Sequence, residues 1–174
     1  ADVDVEEIPG NLSDHYDPRD RTLRLSSPVY RSSSVAAVGV AAHEAGHAVQ
    51  HAENYWPLAV RNGIVPIARF GPGFAMMLFV LGIFLGARGG SGVGGVLQMA
   101  GIFLYGTVVL FALVTLPVEL NASRRALKLL ASSGVLTESE LPGARRVLTA
   151  AALTYVAAAV QALLILLYML NRRR

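Results

Sequence analysis

The sequence predicts a mainly α-helical integral membrane protein with a small β element at its N-terminal end, and three observations carry that prediction. Of 174 residues, 53% are hydrophobic and only 16% charged, a balance that suits lipid as the solvent for much of the surface. Three strongly apolar stretches lie within 64–87, 96–117 and 150–170, and a hydrocarbon core takes about 20 residues of helix to cross. Only residues 1–31 read as strand and turn. The chain is expected to form a single domain over 1–174, as a fragment or processed form of a longer protein because it begins at Ala1 without a methionine.

The elements follow in order. VDVEEI alternates, and HY and TLRL flank the turn DPRD, which predicts short strands in a hairpin or meander over 1–31. RSSS at 31–34 supplies helix caps, and the Ala-rich run over 35–53 predicts a helix. Tyr55, Trp56 and Pro57 read as an interfacial anchor ahead of the first span. RGGSGVGG at 88–95 predicts a flexible loop between the first two spans. Between the second and third spans, 119–146 is expected to carry a polar segment ending in a basic, amphipathic helical hairpin over 123–146, with a cap at Thr137. Gly82 and Gly86 form a small-xxx-small pair, which predicts a homo-oligomer contact.

There is no cysteine, so any metal must be held by His, Asp or Glu. The stretch HEAGH at 43–47 puts His43 and His47 one turn apart on the same helix face, where both imidazoles can reach one ion. Glu44 lies about 100° further round the helix, placed to take a proton from water without itself ligating. The neighbours Ala42, Ala45, Gly46 and Ala48 are small and leave room for metal and substrate. A catalytic zinc needs three protein ligands and one open position. His51, a turn further on, is one candidate, although three turns of one straight helix wrap a tetrahedral ion poorly. The longer HExxHxxGxxH pattern fails because Gln50 and Glu53 occupy its last two positions. Glu119, in TLPVELNASRRAL, is an isolated carboxylate directly after a span. It is either a third ligand from a separate helix, the gluzincin arrangement, or an interfacial acid paired with Arg124 or Arg125.

SDHYDPRDRTLRLSSPVY, GVAAHEAGHAVQHAENYWPLAVR and LPVELNASRRALKLL together resemble the YugP-like family of neutral zinc metallopeptidases, bacterial membrane proteins, over nearly the whole chain. The resemblance implies Zn²⁺ on His43, His47 and Glu119, with Glu44 as catalytic base. More distantly, the chain is similar to membrane CAAX-prenyl endopeptidases and heat-shock membrane proteases, in which an Asp four residues after the ligand glutamate orients a histidine. Ser123 stands at that position here, and Asn121 is a second candidate for the role.

The remaining readings concern substrate and side. The hairpin offers an edge along which a peptide could lie, and His15, Tyr16, Arg124 and Arg125 are candidate oxyanion donors. If all three spans cross, Arg61, Arg69, Arg124, Arg125, Lys128, Arg145 and Arg146 share the side of the site, against Arg88 and Arg172 to Arg174. That excess predicts a cytoplasmic active site on a bacterial plasma membrane. The expected function is zinc-dependent hydrolysis of peptides or membrane proteins, with lipid as a partner and no nucleic acid. A non-catalytic, zinc-stabilised membrane scaffold is the alternative, disfavoured by an intact Glu44.

Overall fold

The structure, a computed structural model, describes residues 2–86 and 92–173; residues 88–91 of the predicted loop, Arg88 included, lie outside the described residues, and 93–95, expected in that loop, are helical. Its elements are β1 (Asp4–Ile8), β2 (His15–Asp17), β3 (Thr22–Ser26), α1 (Ser27–Tyr30), α2 (Val35–Ala52), α3 (Trp56–Gly86), α4 (Val93–Ser133) and α5 (Leu141–Arg173). The chain divides into two compact units.

The first unit comprises Ala1–Leu58 and Pro117–Thr154. Its sheet has the order β1-β3-β2. The β2–β3 hairpin is antiparallel, with Tyr16 opposite Leu23, as the turn chemistry predicts. β1 runs parallel to β3, which corrects the meander: the alternating pattern identifies β1 as a strand but carries no information about its partner. Residues 27–30, expected within the β element, form the helical turn α1 instead, with a proline at its start where the missing N–H costs nothing.

Helix α2 begins at Ser34, whose side chain accepts from Ala37 N. It ends in a Schellman motif, in which Tyr55 N donates to Gln50 O and Asn54 N to His51 O. Asn54 takes the left-handed conformation this requires, at φ 53°. Leu130, Leu136 and Ala144 form a buried cluster against Val35, Val38, Ala42 and Leu141, so α2 packs on the parts of α4 and α5 that belong to this unit. The predicted 123–146 helical hairpin is present. Its arms are the end of α4 and the start of α5, continuous with the apolar stretches before and after them. Gly134 at φ 67° ends α4, and Thr137 N donates to Glu140 Oε2 ahead of α5.

The second unit comprises Ala59–Leu116 and Tyr155–Arg174. Its core joins Ala75 and Phe79 of α3, Ile102, Tyr105 and Val109 of α4, and Ala162 and Met169 of α5. Outside that core, Phe84, Phe103 and Leu164 are exposed, the inverse of a water-soluble surface and the pattern that lipid tails solvate. α4 and α5 are each long and apolar enough to cross a membrane, and α3 makes a third candidate if its two arms, bent by 45°, count as one span. Pro66 and Pro72 lie inside α3 on either side of that bend, and each removes a helical N–H. Gly82, expected as a contact between copies, faces α4 of the same chain: Gln98 Nε2 donates to its carbonyl at 3.1 Å, and an added Cβ would stand 2.7 Å from Gln98 N. Gly86 faces Gly94 in the same way.

Candidate metal centre

Residues from α2 and α4 meet within the first unit. The crossing is close because Gly46 has no side chain, and a Cβ there would stand 2.5 Å from Ala122 O. This brings Glu119, inside α4 and only 1% exposed, to the His43/His47 face. His43 Nε2 lies 3.0 Å and His47 Nε2 3.5 Å from Glu119 Oε2. Among the described residues these three form a group able to hold a metal ion, with one ligand atom from each lying within 4.8 Å of the others.

The far side of each ring is also engaged. His43 Nδ1 is 3.2 Å from Ser123 Oγ, and His47 Nδ1 is 2.9 Å from Gln50 Oε1. With each Nδ1 at an oxygen, both Nε2 atoms point inward together with a carboxylate, a donor set that fits zinc. Burial opposes a charge on His47, but the Glu119 hydrogen bond and the charges of Glu119 and Glu44 outweigh it, so its pKa is raised. A positive charge is thus stabilised where a cation would sit.

Glu44 is nearly buried, and its Oε2 accepts from Tyr16 N at 3.0 Å, so β2 braces the proposed base. Tyr16 is placed by its backbone, while its hydroxyl lies 2.8 Å from His51 Nδ1; both residues stand outside the ligand group. His15 is exposed, with Nδ1 2.7 Å from Ser13 O. Arg124 is exposed. Arg125 pairs with Glu53 at 2.6 Å, donates to Asn121 Oδ1 at 2.7 Å, and lies 5.9 Å from the Tyr55 ring centroid. Asn121 reaches His47 only through Gln50, from whose Nε2 it accepts at 2.9 Å. Gln50, fully buried, is the residue that sequence reasoning missed. Its spacing of three from His47 was the available signal.

Comparison with known proteins agrees with this chemistry. The model of the family described as "Putative neutral zinc metallopeptidase" matches residues 1–174. The chain is 48% identical over 166 residues to the "Putative membrane protease YugP" of Bacillus subtilis (strain 168), covering 95% of this chain and 71% of that one. No solved structure matches. A helical membrane chain whose histidine pair and buried glutamate suit zinc, and which the family model matches from end to end, belongs to that zinc metallopeptidase family.

Proposed function

We propose that the chain acts as one membrane-embedded domain that hydrolyses peptide bonds at a gluzincin-type centre, with His43, His47 and Glu119 as metal ligands and Glu44 as general base. The observation that carries this reading is the convergence of two histidine Nε2 atoms from α2 on one carboxylate oxygen from α4, with Glu44 beside them. His43, His47 and Glu119 would hold a zinc ion, which would supply the Lewis acidity that activates water and polarises a carbonyl.

The protein's own groups do the rest. Tyr16 N fixes Glu44 through Oε2, leaving Oε1 to take a proton as water attacks the scissile carbonyl. The C–N bond then breaks, and Glu44 returns that proton to the departing amine. Substrates are membrane proteins, their loops or released peptides, and the excess of Arg and Lys near the site favours the cytoplasmic face.

The test is the metal content of wild type and Glu119→Gln, together with peptide cleavage by both and by Glu44→Gln. One zinc per chain in wild type, lost with Glu119→Gln, and cleavage lost but zinc kept with Glu44→Gln, is the expected set. Zinc retained in Glu119→Gln would remove Glu119 from the ligand set. Zinc without cleavage of any peptide would turn the reading towards a scaffold.

A further inference from the structure

Gln50 and its partners form a chain of polar contacts in which every proton has only one direction available. Gln50 Nε2 lies 2.8 Å from Val118 O. A backbone carbonyl can only accept, so the Gln50 atom facing it is the amide nitrogen; the usual ambiguity between the two ends of a carboxamide is removed. Gln50 Oε1 therefore faces His47 Nδ1, at 2.9 Å. That oxygen can only accept, so Nδ1 carries a proton in either form of the ring; in the neutral ring Nε2 is then the atom left with its lone pair, on the side of Glu119.

The outer end is fixed independently. Arg125 is a donor that stays charged, and its Nε lies 2.7 Å from Asn121 Oδ1. The same oxygen receives the second Gln50 amide hydrogen at 2.9 Å. Glu53 holds the Arg125 guanidinium at 2.6 Å. A permanent acceptor, Val118 O, and a permanent donor, Arg125, thus clamp two amides between them.

We propose that Gln50, held by Val118 O and by Asn121 and Arg125, is the positioning residue that fixes His47 as an Nε2 ligand. Neutral histidine otherwise exchanges between tautomers, and the form with a proton on Nε2 cannot bind metal there. Val118 precedes Glu119 in α4, so the backbone that delivers one ligand also sets the tautomer of another. The proposal rests on the ligand set given under the proposed function.

The test combines nitrogen NMR of ring-labelled histidines with zinc titration of the full chain, for wild type, Gln50→Met and Gln50→Glu. In metal-free wild type at alkaline pH, His47 is expected to be protonated on Nδ1. Gln50→Met keeps the reach and removes the amide; a mixture of tautomers and a zinc Kd weakened roughly 10–100-fold are expected. Gln50→Glu keeps an acceptor at Nδ1 and, buried against two acceptor oxygens, should take up a proton and donate it to Val118 O; it should then hold the tautomer, which a role in packing alone would not predict. His47 protonated on Nε2 in wild type, an unchanged zinc Kd in Gln50→Met, or loss of the tautomer in Gln50→Glu would each overturn the proposal. If wild type binds no zinc, the ligand reading fails, while the metal-free tautomer still decides the role of Gln50. If Gln50→Met does not fold, Gln50→Glu and wild type decide it.

Discussion

Gly46 of α2 lies directly against the backbone of Ala122 in α4: a Cβ at 46 would stand 2.5 Å from Ala122 O and 3.2 Å from its Cα. Backbone, unlike a side chain, cannot swing aside, so the helices must separate to accept one methyl group. Gly46→Ala is expected to cost about 1–3 kcal/mol by overpacking and to weaken zinc binding, because separation draws Glu119 away from both histidines. Thermal unfolding and zinc titration of the variant check this; unchanged binding would show that the crossing does not set the site.

Glu44→Gln keeps the side-chain volume and still offers an oxygen to Tyr16 N, but cannot accept a proton. Cleavage should fall roughly 10²–10⁴-fold with zinc affinity preserved, as measured by kcat on a peptide substrate beside metal content.

Glu119→Gln removes the charge facing both imidazoles while keeping the packing of a residue that is 1% exposed. Loss of zinc from an otherwise folded protein is expected. Metal analysis with circular dichroism separates this from unfolding.

Ser123→Ala removes the oxygen 3.2 Å from His43 Nδ1. Zinc affinity should weaken by about tenfold, with the fold intact because the site admits a methyl group. Zinc-buffered titration gives the ratio.

The pKa of metal-free His47 is raised by the Glu119 hydrogen bond and by the charges of Glu119 and Glu44, against burial. Without metal, protonation therefore stabilises the fold most below the unfolded value, and this contribution is lost as pH rises through the folded one. With zinc the proton must leave, so apparent zinc affinity should fall by about tenfold per pH unit below the folded pKa. That fall should begin above the pH at which an ordinary histidine titrates. Zinc titrations at a series of pH values measure it.

The histidine pair was legible in sequence because helical periodicity alone puts positions 43 and 47 on one face. Glu119 was legible as a lone acid at the end of an apolar run. Gln50 was not: glutamine is an ordinary helix residue, and its decisive partner, Val118 O, lies 68 positions away. The continuity of α4 through Pro117 and Glu119 was hidden for a different reason. A change from apolar to polar residues marks a change of surroundings, whereas backbone hydrogen bonding continues regardless of it. The pairing of β1 with β3 was equally unreadable, since alternation identifies a strand without naming its neighbour.

The hydrogen bond from Tyr16 N to Glu44 Oε2 divides the centre between two supports. The proposed metal ligands hang from helices, whereas the proposed base is steadied by a hairpin tied through Asp17 to Arg19 and Arg24. Those ties are ionic and partly exposed, so salt weakens them more than it weakens a buried helix crossing. On the proposed reading, turnover and metal retention have separate points of failure: rising ionic strength would disarm the centre before it emptied it.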